Sequence, residues 1–470
     1  MHDICVIGGG AGGIAAAVRA RKLGASVVLV EKATLGGDAL NAGALPSKAL
    51  VAAARRAQAL ATAAPFGIGN AEPKISARGV FDHVHGVVDG VAPATTPEHL
   101  RALGVELVNG AAQFAGRDAI LVGDRTIKAT NFIIATGSSP LVPAIPGLDA
   151  VPYFTSSTIF DNPRKLTHLL VVGGGSVGIE LAQAFRRLGS EVTVVERAKP
   201  LSAYDEELAD IALRQLAAEG VTLHAQSEVT QLQARSLGIG AVVRTPSGEV
   251  SLDVSHVLVA AGRTPNLTPL ALGKAGIRTD ATGALVLRRD GRTSNAHVYA
   301  IGDASGAGRN THAATYQAER VVDRILKRRR GAALSLPLTA FTDPEIAETG
   351  ARESELRARG RPYRVLRLSL AENDRARAER QPAGLVKLVL GRNDRLLGAG
   401  VVGSGAAELI TLFGFAIGNA MALDDFSRVV PPYPTLGEVV RRLAEQAEPK
   451  DPFAAAKVQL TTLRRLLRRP

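Results

Sequence analysis

Two glycine runs in this chain stand between a β-rich apolar stretch and a helical one, and each is trailed by a glutamate roughly twenty residues on. In the first, residues 3–7 are apolar and β-rich, Gly8-Gly9-Gly10-Ala11-Gly12-Gly13 opens a helix reaching about Leu23, and a second strand over 26–30 ends at Glu31. That spacing suits a dinucleotide. Gly8 permits the tight turn, Gly10 lets backbone approach a pyrophosphate, Gly13 allows close helix–strand packing, and Glu31 can accept hydrogen bonds from a ribose. The pattern recurs: Leu169-Leu-Val-Val-Gly173-Gly174-Gly175-Ser176-Val177-Gly178 precedes a helix, and Glu191-Val-Thr-Val-Val-Glu196 supplies the next strand and its acid. Two cradles imply two dinucleotides with electrons passing between them. Glu196 favours NADH, because a carboxylate repels the 2′-phosphate of NADPH and binds the 2′-hydroxyl, whereas Arg197 beside it would soften that preference toward NADPH.

Three more apolar segments end on a glycine where backbone can approach a ligand: Phe132-Ile-Ile-Ala-Thr136-Gly137, Val257-Leu-Val-Ala-Ala-Gly262-Arg263 and Val298-Tyr-Ala-Ile-Gly302-Asp303. Each alone reads equally well as a buried strand followed by a turn.

The elements that position these residues need several cores. At ~150 residues per domain, 470 residues make about three domains. Hydrophobic residues at 46% and charged residues at 21% are ordinary for a globular protein and exclude a disordered chain. No apolar run approaches the ~20 residues of a bilayer span; the stretch 409–423 is short and interrupted by Asn419. With residues 3–8 reading as a buried strand rather than a secretory leader, the expected compartment is the cytoplasm. The single cysteine, Cys5, excludes an intramolecular disulfide and a cysteine-built metal site, and no metal is expected. The net charge of +12 is local: 327–330 and 457–469 are basic without an acid, the first fitting the C-terminal end of a helix. Aromatics at 4%, no Trp and no nucleic-acid motif argue against binding nucleic acid.

In their order, these segments resemble the flavin-dependent class I pyridine nucleotide–disulfide oxidoreductases, the group of dihydrolipoamide dehydrogenase, glutathione reductase and mercuric reductase. Ala340-Phe-Thr-Asp-Pro344-Glu345-Ile-Ala-Glu-Thr-Gly350 resembles the opening of that group's last domain, and Tyr433-Pro434-Thr435 resembles mercuric-reductase-like members. The resemblance covers residues 1 to about 447. It implies an α/β fold with two Rossmann-like dinucleotide-binding domains, for FAD and NAD(P), plus a C-terminal α+β dimerisation domain. The expected boundaries are 1–148 and 271–335 for the split FAD domain, 149–270 for the NAD(P) domain, 336–447 for the interface domain and 448–470 for a tail. The chain is then expected to form a homodimer.

Carried over residue by residue, the resemblance assigns Gly8, Gly10, Ala11, Gly12, Gly13, Glu31, Lys32, Gly36, Gly37, Ala112, Thr136, Gly137, Gly302, Asp303 and His312 to FAD. Asp303 would bind the ribitol or the flavin-side phosphate, and His312 would follow in the loop under the isoalloxazine. Gly173, Gly175, Val177, Gly178, Glu196, Arg197, Val229 and Gly262 go to NAD(P). Lys48 and Glu180 match a pair that sits beside flavin N5, where hydride arrives; buried together they would satisfy one another, and the ammonium would stabilise charge on reduced flavin.

The same resemblance exposes what is missing. The segment Gly36-Gly37-Asp38-Ala39-Leu40-Asn41-Ala42-Gly43-Ala44-Leu45-Pro46-Ser47-Lys48 agrees with the family except where its two redox cysteines belong, at Ala39 and Ala44. Cys5, inside the first strand, reads as a packing residue. The family's His-Pro-Thr-x-x-Glu unit, donated by the other subunit as acid–base, is here Tyr433-Pro434-Thr435-Leu436-Gly437-Glu438. Tyrosine, with a pKa near ~10, is a poor base at neutral pH but a serviceable donor. The vacated volume is either an acceptor pocket or filled by neighbouring side chains or water.

These readings lead to an FAD-dependent NAD(P)H oxidoreductase that passes electrons from the flavin to a non-thiol acceptor: a quinone, dye, metal ion or oxygen. The alternatives are a pyridine nucleotide transhydrogenase and a non-catalytic flavin- and nucleotide-binding redox sensor. Elsewhere, Val80, Val84, Val87, Val88 and Val91 recur at helical spacing, and 365–402 alternates as antiparallel strands around an Arg-rich solvated hairpin (Arg375, Arg377, Arg380). Past Pro449, leucines 460, 463 and 467 share a helix face opposite arginines, a pattern that would either pack on its own dimer or touch an anionic membrane surface or a partner through 449–470.

Overall fold

The computed structural model describes residues 1–306, 310–329, 331 and 334–447. The chain forms two compact units, one of residues 1–201 and 216–332, the other of 202–215 with the described residues from 334 onward.

The first unit opens with strand β1 (His2–Ile7), helix α1 (Ala11–Lys22) and strand β2 (Val27–Glu31). Consecutive burial of Ile4, Cys5, Val6 and Ile7 is what a strand covered on both faces requires. Four helices follow: α2 (Gly37–Asn41), α3 (Ala44–Ala61), α4 (Ala77–Val91) and α5 (Pro97–Ala102). In α4 the valine spacing does give a helix, with Phe81 and Val84 facing inward. Strand β3 (Glu106–Asn109) returns to the sheet, and β4 (Ala112–Phe114), β5 (Ala119–Val122) and β6 (Arg125–Ile134) form a meander whose last strand also pairs in parallel with β1. The sheet order is β3-β2-β1-β6-β5-β4.

After β7 (Ser138–Pro140) and β8 (Tyr153–Thr155), the arrangement is built again from β9 (His168–Val172), α6 (Ser176–Arg187) and β10 (Glu191–Val195). The chain continues through α7 (Glu206–Ala218), whose start to Gln215 belongs to the second unit, then β11 (Thr222–His224). Strands β12 (Glu228–Arg235), β13 (Gly238–Thr245) and β14 (Gly248–Val254) make the second meander, and β15 (His256–Val259) completes a parallel sheet of order β11-β10-β9-β15-β8. Strand β16 (Arg263–Pro265) pairs with β7. Finally β17 (Val298–Ala300) adds to β6, and α8 (Thr311–Ile325) lies along α1. There Ala16, Ala17 and Ala20 join a core with Ala318, Val321 and Val322, while Arg19 reaches Asp323 at 2.9 Å.

The second unit is a five-stranded antiparallel sheet of β18 (Leu338–Ala340), β19 (Glu345–Gly350), β20 (Arg364–Ser369), β21 (Leu385–Leu390) and β22 (Leu396–Gly403), in the order β18-β19-β22-β21-β20. Helices α9 (Glu353–Ala358), α10 (Asp374–Ala378), α11 (Ala406–Gly418) and α12 (Val439–Ala444) accompany it. The Arg-rich connection does join the antiparallel pair β20 and β21, with Arg375, Arg377 and Arg380 exposed, but it carries a short helix: Asn373 caps α10 by accepting from the Ala376 N–H at 3.0 Å, Ala376 is buried, and Arg375 pairs with Glu379. An Asn N-cap followed by an acid in the first turn is what makes this solvated connection helical. Among the described residues no helix is long and apolar enough to cross a membrane. The basic tail over 449–470 lies outside the described residues.

Candidate active site

Both cradles have the expected geometry. Gly8 and Gly173 adopt φ of +110° and +114°, and a Cβ on either would strike the carbonyl of Ala135 or Ala260 on the neighbouring strand's end. At Gly13 and Gly178 a Cβ would strike the carbonyl oxygen of Gly8 or Gly173, so only glycine lets each helix start so close to its strand. The two acids are held alike. Glu31 accepts from the N–H groups of Gly9 at 2.5 Å and Ala33 at 2.8 Å; Glu196 accepts from Gly174 at 2.6 Å and Ala198 at 2.8 Å. Gly10 and Gly175, the N-caps of α1 and α6, carry no side-chain cap, which leaves those helix ends open to an anion. Beside the first cradle, the Thr136 hydroxyl is shut off from solvent with no hydrogen-bond partner among the described residues. An orphaned polar atom next to Gly137 is what a site awaiting a polar ligand presents.

The segment over 36–48 lies against this first cradle. Gly36 donates to the Gly9 carbonyl at 2.9 Å and bridges to Gly10. Ala39 sits half-buried in α2, and Ala44 is exposed at the first turn of α3. Two turns would thus present two side chains where the chain carries only methyl groups. Cys5 is buried in β1, where burial drives its thiol pKa far above the usual range, so it supplies no thiolate. One turn beyond Ala44, the Lys48 ammonium meets Glu180 of α6 at 2.5 Å and Ser47 Oγ at 3.3 Å. Glu180 is buried as expected, but the Lys48 side chain is 34% exposed, so the pair is partly open rather than sealed in the core.

Residues outside the expected set form a polar network beside the first cradle. Arg263 donates to Ser138 Oγ at 2.7 Å and to the Ser138 carbonyl at 2.8 Å, and approaches Asp38 at 3.3 Å and Asp303 at 3.6 Å. Ser138 in turn donates to Asp303 at 2.5 Å, while Asn266 donates to the Thr136 carbonyl at 3.1 Å. Ala112 and Val229 are buried at equivalent ends of the two meanders; Lys32 and His312 are exposed, and Val177 lies partly exposed in the first turn of α6. In the second unit, Tyr433 is exposed and its hydroxyl lies 3.3 Å from Asp374, whose negative charge holds the phenol above its usual pKa. Glu438 accepts from the Thr435 N–H at 3.4 Å.

Residues 2–318 match the pyridine nucleotide-disulphide oxidoreductase family, and residues 336–444 match its dimerisation domain. The chain belongs to this family. It is an oxidoreductase of a group that uses FAD and pyridine nucleotides, and its dimerisation domain supports a homodimer. A mercuric reductase of Streptomyces lividans is 34% identical over 94% of this chain and 96% of its own length. A dihydrolipoyl dehydrogenase of Staphylococcus aureus is 32% identical over 95% and 96%. The structure of LpdA from Mycobacterium tuberculosis superposes with a TM-score of 0.87 at 26% identity, covering 95% of this chain and 99% of that one. The family's cysteine pair is absent, since the chain has one cysteine in all. The residue types and spacing do not point to Ser138, Asp38 or Asn266, whereas Arg263 directly follows the strand end at Gly262, where a charged residue next to a ligand-facing glycine is a readable signal.

Proposed function

We propose that this oxidoreductase takes hydride from NADH and delivers electrons to a small non-thiol acceptor, and is not a working disulfide reductase. What carries the reading is one contrast within 36–48: Lys48 keeps its partner Glu180, while Ala39 and Ala44 offer no sulfur. FAD, when bound, supplies the two-electron chemistry. On this reading Gly8, Gly10, Gly13 and Glu31 hold its diphosphate and ribose, the Thr136 hydroxyl gains the partner it lacks, and Asp303, braced by Ser138, takes the ribitol side. Residues 1–148 and 271–335 then form the FAD domain, 149–270 the nucleotide domain and 336–447 the interface.

Glu180 fixes the Lys48 ammonium, so that a positive charge stays where hydride arrives. Gly173, Gly175 and Gly178 seat the nicotinamide dinucleotide, and Glu196, held by two backbone N–H groups, faces its adenosine ribose and favours a hydroxyl over a phosphate. Tyr433 is a hydrogen-bond donor rather than a base, because a phenol is already protonated at neutral pH and Asp374 pushes its pKa further up.

An anaerobic titration tests this. NADH should bleach the flavin and saturate at about one hydride per FAD, with no long-wavelength thiolate-to-flavin band at any point. Failure to bleach removes the enzymatic reading, and uptake of a second equivalent means a second redox centre in the protein and removes the reading that the flavin is the last carrier.

A further inference from the structure

The loop after β10 and the loop before β12 are sewn together by two backbone hydrogen bonds, from Ser227 N–H to the Glu196 carbonyl at 2.8 Å and from Gln226 N–H to the Ala198 carbonyl at 3.0 Å. This sets Arg197 beside Glu228. The Arg197 guanidinium meets Glu228 Oε1 at 2.5 Å, and Arg244 of β13 meets Oε2 at 2.5 Å, so one carboxylate holds two cations. We infer that Glu228 is a coenzyme-specificity latch: it draws Arg197 and Arg244 away from the ribose end of the second cradle and leaves the Glu196 carboxylate as the charge a 2′-phosphate would meet.

The first cradle serves as an internal control for this geometry. There Gly110 N–H donates to the Glu31 carbonyl at 2.8 Å, as Ser227 does to Glu196, so Lys32 corresponds to Arg197 and Ala111 to Glu228. The acid after the loop is present only in the half read as the nicotinamide site. The latch biases the choice without barring it, since Arg197 and Arg244 are 67% and 63% exposed and exposed ion pairs are individually weak. Neutralising Glu228 frees two guanidinium groups, either of which can pair bidentately with a phosphate.

The inference rests on the NADH reading, and the experiment separates the two. Dissociation constants for NAD+ and NADP+ are measured on oxidised, flavin-loaded protein for wild type, Glu228→Gln, Glu228→Gln with Arg197→Gln, and the variant that adds Arg244→Gln to those two. Glu228→Gln should lower the NADP+/NAD+ ratio of dissociation constants by roughly fivefold, and the added Arg197→Gln should abolish most of that gain. A ratio unchanged by Glu228→Gln, or a gain that survives Arg197→Gln and Arg244→Gln together, overturns the latch. A wild-type ratio at or below one overturns the NADH reading instead, whatever Glu228→Gln does.

Discussion

Replacing Lys387 by Met should loosen the second unit far more than an ordinary strand substitution would. Lys387 lies mid-strand in β21, its side chain 6% exposed, with Asp205 at 2.8 Å, Glu353 at 3.0 Å and Glu207 at 3.1 Å. Burial would lower its pKa, but hydrogen bonds to Asp205 and Glu353 outweigh that and hold it above the usual lysine value. Methionine keeps the length and apolar stem while removing the charge. Glu207 would retain Arg367 at 2.8 Å and Glu353 would retain Arg357 at 2.5 Å, which leaves Asp205 as the carboxylate most exposed to the loss. The expected cost therefore lies at the lower end for a broken buried pair, about 3 kcal/mol. Hydrogen exchange reads this locally: the slowest β21 and β22 amides should exchange roughly 150-fold faster. Lys387→Met with Asp205→Asn should recover part of the protection. The carboxyls of Glu207 and Glu353 sit below their usual range, the first through its hydrogen bond to Arg367 and the second through that to Lys387. Their contribution is complete above the unfolded value of 4.5 and is lost as pH falls through the lower folded values; that of Lys387 is complete below 10.5 and is lost as pH rises through its higher folded value. The difference between wild type and variant should accordingly be flat across neutral pH and shrink in acid. Less than tenfold faster exchange at pH 7 would mean that the three carboxylates do not depend on Lys387.

Other perturbations have equally direct readouts. Gly178→Ala puts a Cβ onto the Gly173 carbonyl oxygen, so NADH at concentrations that saturate wild type should no longer bleach the flavin, although flavin absorbance is retained. Ser138→Ala removes the donor to Asp303 and the acceptor for Arg263, and should weaken FAD retention roughly tenfold in a dialysis assay. Tyr433→Phe should leave the shape of the pH–rate profile between pH 6 and 9 unchanged, because a phenol titrates near ~10 and Asp374 pushes this one higher; a limb that vanishes in the variant would show the tyrosine titrating. Asn373→Ala uncaps α10 and removes the donor to the Thr435 carbonyl, costing about 1–2 kcal/mol in thermal unfolding.

The parts of this molecule readable from sequence are those whose signal is local. Strand, glycine turn, helix and acid fall within some thirty residues of each other, so the cradles at Gly8 and Gly173 could be placed with their acids. The Asn373 cap was also local, but the surrounding arginines obscured it. Lys387 shows the opposite case. Alternation in β21 suggests a polar residue facing water, yet the neutralising acids come from positions 205, 207 and 353, and no short window contains them together. Arg263 is similar: its partners Asp38, Ser138 and Asp303 are spread over most of the first unit.

The two cradles are alike down to individual hydrogen bonds, so their glutamates alone cannot say which holds which dinucleotide. Their surroundings can. Gly36 and Leu201 make the same backbone bond, to Gly9 and Gly174 respectively, and from there the chain diverges. After Gly36 it folds α2 beside its own cradle and lays α3 along α6 of the second, carrying Ala39, Ala44 and Lys48; after Leu201 it leaves for the second unit. On the proposed reading, the segment carrying positions 39, 44 and 48 is what the first cradle's chain adds to the repeated scaffold, and that cradle also holds the orphaned Thr136 hydroxyl where its counterpart has Ala261. Substituting both sulfur positions touches neither the second cradle nor the link from Lys48 to Glu180 of α6. On the proposed reading, alanine at 39 and 44 alters where electrons leave without altering where they enter, which is the arrangement expected of an oxidoreductase that has changed its acceptor and kept its donor.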